Sequence, residues 1–298
     1  MIKSKFKNRK AEQLLIEALE TVAPGTELRE ALEYINKAGT GALIVIGSNP
    51  SIQGLSNGGF DLDCPFRAQR LFELAKMDGA IILTEDCRKI AKANVHLVPS
   101  SDIPTRETGI RHRTAERVAK QANCLVVSIS QRRDLITVHT GALKYTLEDI
   151  RTVLTKANQA LQTLERYKFR LQEVSAQLSS LEFEGYVTLV DVAEVLQKAE
   201  MVKRVGHEIE AYISELGTEA RLIEMQLDDM MTGVEEDCLM TIKDYCHDRR
   251  QVQRIAKKLG RISEEDLLSA TEICLLLGYK DEANLLDQPV QPRGFRLL

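Results

Sequence analysis

Ala42-Leu-Ile-Val-Ile46, flanked by Gly41 and Gly47, is the stretch of sequence that decides the fold. Five consecutive apolar residues are too few for an independent helix, and their Val and Ile content favours a buried strand. Similar short apolar runs, bounded by Gly, Pro, Asn or Asp, follow at residues 80–83, 95–98, 125–129 and 135–139. The sequence therefore predicts a set of buried strands in its first half.

Helical patterns alternate with these strands. Apolar residues recur at helical spacing over residues 11–22 and 27–38, with the breaker Pro24-Gly25 between them. Further helices are predicted over residues 65–76 and 113–121. Strands interleaved with helices predict an α/β domain, a mixed sheet with flanking helices, over residues 1–146.

The second half has a different character. From Ile150 onward apolar residues recur at 4-3 spacing as far as Leu181, which is typical of a long amphipathic helix or short coiled-coil spine. More helices are predicted around residues 189–213, 219–231, 239–245 and 264–277. The sequence thus predicts an all-α spine domain over residues 147–288, followed by a linker stub over residues 289–298.

Composition excludes several classes of protein. A net charge of −4 and only 5% aromatic residues, with no Trp, argue against a basic nucleic-acid coat or a base-stacking platform. The six cysteines form no C-x-x-C motif, which is typical of a reducing compartment. The basic N-terminus lacks the apolar core of a signal peptide, and no apolar run reaches the ~20 residues of a membrane span. We expect a cytoplasmic protein without membrane contact.

Arg111-His112-Arg113, which follows Gly109 at the start of a predicted helix, is the main candidate for chemistry. Cationic side chains at a helix N-terminus oppose the helix dipole, so this triplet is costly unless it holds an anion. Guanidinium groups match phosphate oxygens in pairs, which makes phosphate the expected ligand. The alternative interpretation, a solvated helix face, fits the neighbouring Arg117 and Lys120 better than the triplet.

Asp78-Gly79, which immediately precedes the apolar run 80–83, is the second candidate for chemistry. A carboxylate there could bind magnesium or assist a hydroxyl nucleophile, and glycine permits close approach of a ligand. The alternative is an ordinary turn, since Asp-Gly is a common turn dipeptide. The glycine clusters Gly39-Thr-Gly-Ala42 and Asn57-Gly-Gly-Phe60 are interpreted as tight turns, since neither forms a dinucleotide-binding or P-loop motif. His96 and His139 are interpreted as structural.

Together, Asp78-Gly-Ala80 and Arg111-His-Arg113 resemble the paired signature of the diadenylate cyclase family. Other segments are similar to bacterial DNA integrity scanning proteins of that family, including Gly58-Gly-Phe-Asp-Leu-Asp63, Ala93-Asn-Val-His-Leu-Val-Pro99 and Ala157-Asn-Gln-Ala-Leu-Gln-Thr-Leu-Glu-Arg-Tyr-Lys168. The resemblance extends over nearly the whole chain, the predicted cyclase domain and the helical spine together.

The resemblance implies condensation of two ATP molecules into cyclic di-AMP with release of two pyrophosphates. Asp78 would lie near the ribose 3′-hydroxyl and a Mg²⁺ or Mn²⁺ ion, Gly79 would line the nucleotide, and Leu97 would meet the adenine. Arg111, His112, Arg113 and Thr114 would hold the phosphates, with Ser130 as a weaker candidate beside them, and Ile110 would be a further ATP-binding position. The resemblance also implies that each subunit supplies half of a site, within a homo-octamer organised by the spine.

Two features depart from the family pattern. Ile110 stands where the family commonly has threonine, which puts one phosphate contact in question. The phrase Pro292-Arg-Gly-Phe-Arg296 precedes a DNA-binding helix-hairpin-helix domain in the family, whereas this sequence ends at Leu298, so DNA binding is not carried over. Two alternatives to an enzyme remain open: a nucleotide or cyclic-dinucleotide binding module without turnover, and an oligomeric DNA-associated scaffold.

Overall fold

The structure is a computed structural model that describes residues 9–47, 49–280 and 284–296. It contains two compact units. The first comprises the described residues up to Leu154 together with Ala211–Arg221, and the second comprises Thr155–Glu210 with the described residues from Leu222 onward. The N-terminal residues 1–8, where the absence of a signal peptide was predicted, lie outside the described residues.

The first unit is built on one mixed sheet. Its strands are β1 (Ala42–Ile46), β2 (Ser56–Asn57), β3 (Phe60–Pro65), β4 (Ala80–Leu83), β5 (Lys89–Leu97), β6 (Leu125–Ile129), β7 (Ile136–Thr140) and β8 (Leu143–Thr146). Their order is β2-β5-β4-β1-β6-β7-β8, and β3 also pairs with β5. β1 and β4 are parallel, and the other pairs are antiparallel. The predicted α/β class with a mixed sheet is therefore confirmed.

Helices cover both faces of this sheet: α1 (Arg9–Thr21), α2 (Glu27–Lys37), α3 (Pro50–Leu55), α4 (Ala68–Leu74) and α5 (Ile110–Ala122). Because side chains alternate along a strand, Ile44 of β1 packs in the core formed with α1, α2 and α4. Its neighbour Val45 packs in a separate core formed with α3 and α5. A sheet buried on both faces explains why β1 is apolar at every position.

In the first unit, two helices begin three residues away from their predicted starts. The helix predicted over residues 65–76 begins only at Ala68, because Pro65 is the last residue of β3 and pairs with Lys89. The helix predicted from residue 113 begins at Ile110, so the Arg-His-Arg triplet lies inside its first turn. Periodicity alone did not reveal this earlier start, because the first turn of α5 carries mostly polar residues.

Helices follow the sheet: α6 (Ile150–Glu184), α7 (Leu189–Leu216), α8 (Arg221–Met231), α9 (Val234–Tyr245), α10 (Val252–Leu259), α11 (Glu264–Leu268) and α12 (Ala270–Leu277). The predicted long amphipathic helix is confirmed as α6, whose stripe buries Ala157, Leu161, Leu164, Leu171 and Leu178. The helix predicted over residues 264–277 is split at Ser269, whose hydroxyl accepts from the backbone N–H of Glu272 and caps α12.

The segment after Pro289 binds to the helical unit. The Asp244 carboxylate of α9 accepts hydrogen bonds from the backbone N–H groups of Phe295 (2.8 Å) and Arg296 (3.0 Å). The Arg296 guanidinium pairs with the buried Glu182 of α6 at 3.0 Å. These contacts fix the described part of the predicted linker stub, up to Arg296, on this unit.

In the part of the chain that the structure describes, no helix combines the length and the apolar character needed to cross a membrane.

Candidate active site

The predicted site residues gather at one edge of the sheet. Ala42, where β1 begins, pairs with Ile129, where β6 ends. Ala80, where β4 begins, pairs with Val95 near the end of β5. Since β1 and β4 run parallel from this edge, the segments before them and after β5 and β6 meet there. Asp78 and Gly79 precede β4, Leu97 is the last residue of β5, and Ser130 follows β6.

The first turn of α5 lies at the same edge. Gly109 is its N-cap and offers no side-chain hydrogen bond, while Ile110, Arg111, His112 and Arg113 follow directly. No acidic residue occupies this turn. The positive end of the helix dipole therefore coincides with arginine side chains, an arrangement that an anionic ligand stabilises.

Arg111 connects the triplet to Asp78. One guanidinium nitrogen, Nη2, lies 3.7 Å from Asp78 Oδ1, while the Asp78 side chain is fully exposed. The Arg111 guanidinium passes directly over Gly41, where a Cβ atom would lie 2.2 Å from Nη1. Gly41 therefore provides the space that Arg111 occupies.

A cavity of about 580 Å³ opens beside α5 and the end of β6. Its lining includes the predicted residues Ile110, Arg111, His112 and Ser130. Four cationic side chains line it against the single carboxylate of Glu107: Arg111, Arg132, Arg133 and Lys144. Lys144 forms an ion pair with Glu107. The three arginines leave this cavity with an excess of positive charge that suits a polyanion.

The remaining predicted residues lie outside this cavity lining, as far as the described residues show. Arg113 is exposed and Thr114 is half-buried on α5. Leu97 is buried, 7% exposed, in the core shared with α3 and α5. Gly79 has a φ of 104°, and a Cβ atom there would lie 2.9 Å from the backbone of Asn94. Gly79 is thus required by the close contact with the backbone of β5.

The His112 side chain contacts a hydroxyl group of the sheet. Its Nδ1 atom lies 2.8 Å from the hydroxyl of Ser128 on β6. The same hydroxyl lies 3.3 Å from Nε2 of His139 on β7. Burial lowers the pKa of the His112 imidazole, and the cations of Lys144, Arg133 and Arg111 lower it further against the opposing effect of Glu107. His112 is therefore neutral near pH 7.

Among the described residues, no cluster of three or more His, Cys, Asp or Glu side chains could hold a metal ion. Asp78 is the carboxylate nearest to Arg111 and offers one or two oxygen ligands. Magnesium in nucleotide-binding proteins is commonly held by one or two carboxylates together with substrate phosphates and water. The residues therefore fit a metal ion that is bound jointly with a nucleotide.

Sequence reasoning missed three residues that shape this site: Gly41, Ser128 and Lys144. It noted Gly41 only as part of a turn cluster, although the structure shows that the missing side chain makes room for Arg111. A signal for Ser128 was available, because a lone hydroxyl inside the otherwise apolar run Leu125–Ile129 requires a buried hydrogen-bond partner.

Comparison with known families matches both halves of the chain. Residues 29–142 match the family described as DisA bacterial checkpoint controller nucleotide-binding. Residues 147–286 match the DisA bacterial checkpoint controller linker region. The first match contains every predicted site residue.

Individual relatives are similar over almost the entire chain. The DNA integrity scanning protein DisA of Carboxydothermus hydrogenoformans is 50% identical over 289 residues, which cover 96% of this chain and 82% of that protein. DisA of Symbiobacterium thermophilum is 51% identical over 95% of this chain and 80% of that protein. Acetivibrio thermocellus DisA is 50% identical over 98% of this chain and 81% of its own length. This chain belongs to the DisA family of bacterial DNA integrity scanning proteins.

Proposed function

We propose that this protein is a diadenylate cyclase, which condenses two ATP molecules into cyclic di-AMP and two pyrophosphates. In each half-reaction the ribose 3′-hydroxyl of one ATP attacks the α-phosphate of the other. A phosphodiester bond forms, the bond from the α-phosphorus to pyrophosphate breaks, and the hydroxyl proton passes to solvent. The observation that carries the proposal is Arg111, which lies between the Asp78 carboxylate and the cationic cavity.

The cationic side chains would bind and orient the triphosphate. Arg111 can donate paired hydrogen bonds to phosphate oxygens, and His112 can donate from Nε2, since Ser128 occupies its Nδ1. Negative charge moves to pyrophosphate as the reaction proceeds, so donors fixed in this position would stabilise the transition state. Arg113, Thr114 and Ser130 are proposed as further phosphate contacts, while Ile110 offers only its backbone and an apolar surface.

Asp78 would act on the attacking hydroxyl. Its exposed carboxylate is proposed to lie near the ribose 3′-hydroxyl and to supply oxygen ligands to Mg²⁺ or Mn²⁺ that is bound jointly with the nucleotide. Such an ion would lower the pKa of the hydroxyl and neutralise phosphate charge. Gly79 and Leu97 are proposed to line the ribose and adenine at the same edge of the sheet.

The reaction requires two nucleotides that face each other, and the proposed site supplies residues for one. The complete exposure of Asp78 leaves its carboxylate accessible to a second protomer. We therefore propose that two subunits pair through this edge, within the homo-octamer that the family resemblance implies. Light scattering that gives eight times the 33.5 kDa mass of the chain would support the octamer, whereas a monomer would contradict it.

Replacement of Asp78 tests the enzyme directly. We expect Asp78→Asn to lower cyclic di-AMP formation by on the order of 10²-fold or more, while ATP affinity measured without metal changes little. Asp86→Asn is a matched control, because that carboxylate follows the other end of β4 and bonds to Thr84. Full activity of Asp78→Asn would contradict the assignment. Tight ATP binding by the wild-type protein without product would favour the binding module instead.

A further inference from the structure

A buried polar cluster interrupts the apolar face of the sheet that packs against α5. Val126 of β6 belongs to the core on this face, whereas Val127 and Ile129 belong to the core on the opposite face. The alternation of side chains places Ser128 on the α5 face. By the same alternation Thr137 and His139 of β7 lie there too, since Ile136 and Val138 pack on the other face.

This cluster is almost completely removed from solvent. Ser128 is 0% exposed and His139 is 1% exposed. A buried polar group without a hydrogen-bond partner costs roughly 1–3 kcal/mol, so a serine and a histidine in this position need mutual hydrogen bonds. Hydrogen bonds connect Ser128 and His139 to one surface group, the His112 imidazole, which lines the cationic cavity.

The hydrogen-bond distances indicate which groups of the cluster donate and which accept. Ser128 Oγ lies 2.8 Å from His112 Nδ1 and 3.3 Å from His139 Nε2, while the Thr137 carbonyl oxygen is at the outer limit of 3.5 Å. A hydroxyl has one proton to donate. The short distance to His112 Nδ1 favours that nitrogen as the acceptor of the hydroxyl proton, and in this arrangement Nδ1 carries no proton. Ser128 then accepts a hydrogen bond from His139 Nε2–H.

The surroundings of His139 support the same assignment of donors and acceptors. His139 Nδ1 is buried and has no hydrogen-bond partner among the described residues. If the chain of bonds ran the other way, His139 would accept at Nε2 and would leave an orphaned N–H group at Nδ1. Orphaned buried N–H groups are rarer in native proteins than under-satisfied acceptors, so the proton of His139 belongs on Nε2.

Both imidazoles are neutral near pH 7, as this arrangement requires. Burial lowers the pKa of His139 to about 4; Glu107 and Glu116 oppose this effect, whereas His112 and Lys144 lower the pKa further. Burial also lowers the pKa of His112. A neutral imidazole has one ring proton. If Nδ1 accepts the hydrogen bond from Ser128, that proton is on Nε2, the nitrogen left for a ligand.

We propose that Ser128 and His139 are positioning residues that fix His112 in the Nε2–H tautomer, so that it donates a hydrogen bond to a phosphate of the bound nucleotide. The relay runs from His139 Nε2–H to Ser128 Oγ, and from Ser128 O–H to His112 Nδ1. It holds the ring orientation before the ligand arrives, which lowers the entropic cost of binding. The phosphate ligand in this proposal rests on the proposed function.

Nitrogen NMR of the full chain tests the tautomer without any activity. In protein labelled with ¹⁵N-histidine, the signals of His112 are those missing from His112→Gln. We expect magic-angle-spinning spectra of the wild-type protein at pH 8, without nucleotide, to show His112 with protonated Nε2 and bare Nδ1. A protonated Nδ1 would overturn the proposal.

Substitutions in the relay test its effect on the ligand. We expect Ser128→Ala to give His112 a mixture of tautomers and to weaken binding of ATP with Mg²⁺ by about tenfold, as loss of a hydrogen bond to a charged group does. His139→Leu should act similarly, whereas His139→Gln, which keeps an N–H donor, should restore the tautomer and most of the affinity. Ser128→Ala with an unchanged tautomer and unchanged affinity would overturn the relay.

Thr241→Val is the matched control for loss of a buried hydroxyl, because Thr241 is fully buried in α9 and bonds only within its helix to Asp237. We expect it to leave the His112 tautomer and ATP affinity unchanged. The outcomes separate the two proposals. If the protein shows the expected His112 tautomer and binds ATP but forms no cyclic di-AMP, the proposed enzyme activity is refuted and the relay is not. If the protein is active but His112 has the other tautomer, only the relay is refuted.

Discussion

Gly41 shows how a single missing side chain can determine the geometry of a site. A Cβ atom at this position would lie 2.2 Å from Nη1 of Arg111 and 3.2 Å from the carbonyl oxygen of Ile129. The flexible guanidinium can move away, whereas the strand cannot. An added methyl group would therefore displace the Arg111 side chain, which is proposed to bind phosphate, rather than unfold the protein.

We expect Gly41→Ala to weaken ATP binding by about tenfold through loss of Arg111 contacts. The free energy of unfolding should change by less than about 1 kcal/mol. Isothermal titration with ATP and Mg²⁺ measures the first quantity, and chemical denaturation measures the second. Gly54→Ala is the matched control, since no atom lies within 4 Å of its added methyl group. Unchanged affinity in Gly41→Ala would show that Arg111 does not bind the nucleotide.

His139 makes stability depend on pH. Its pKa falls from about 6.5 in the unfolded chain to about 4 in the folded protein because burial disfavours the charged ring. Between these values the unfolded state binds more protons, so the contribution of His139 to stability is complete above pH 6.5 and is lost as the pH falls toward 4. The shift corresponds to about 3 kcal/mol.

Denaturation curves of the wild-type protein and His139→Leu, measured from pH 4 to pH 8, check this prediction. We expect the wild-type protein to lose up to about 3 kcal/mol more than the variant on acidification. A difference between the two proteins that does not change with pH would mean that His139 is not buried as a neutral ring.

At the scale of secondary structure, sequence reasoning predicted the apolar elements and missed the polar ones. β1 is a continuous apolar run and β6 is apolar except for Ser128, as expected for strands that are buried on both faces. β3 is mostly exposed and contains Asp61 and Asp63, so its residues show no strand pattern. The edge strand β2 pairs with β5, which is distant in sequence, and the edge strand β8 forms a hairpin with β7; local periodicity records neither pairing.

A buried ion pair contributes to the docking of the segment after Pro289. Glu182 of α6 accepts from the Arg296 guanidinium at 3.0 Å and from the Tyr245 hydroxyl at 2.6 Å. The Glu182 side chain is 0% exposed. Removal of the arginine would leave a buried carboxylate with one donor, and breaking a buried pair in this way costs about 3 kcal/mol.

Hydrogen exchange in peptides from α6 and α9 measures this effect locally. We expect Arg296→Ala to lower the opening free energy of both helices by about 3 kcal/mol. Arg166→Ala, which removes an exposed guanidinium of α6 that bonds to Gln162, should leave exchange unchanged. Equal protection in Arg296→Ala and wild-type protein would contradict a structural role for the pair.

At the scale of the whole molecule, the proposed chemistry requires two subunits. Wild-type chains co-expressed with Asp78→Asn chains would form mixed pairs, which can close at most one of the two phosphodiester bonds. We expect cyclic di-AMP formation per wild-type chain to fall in proportion to the wild-type fraction, with a linear intermediate appearing. Constant activity per wild-type chain would instead place the whole site in one subunit.

Much of the candidate site could be anticipated from sequence because its residues occur in two short motifs at element boundaries. Asp78 lies two residues before a strand, and Arg111 lies in the first turn of a helix. The relay behind His112 could not be anticipated, since it depends on the register that pairs Ser128 with Thr137. His139 was interpreted as a structural histidine, and the structure adds its contact with Ser128.

Chromatography of the products formed from ATP tests the central claim most directly. Incubation of the full chain with ATP and Mg²⁺ or Mn²⁺ should yield cyclic di-AMP and two pyrophosphates for each product molecule, and omission of the metal should abolish both. Recovery of unreacted ATP from a protein that binds it tightly would contradict the account and identify a nucleotide-binding module.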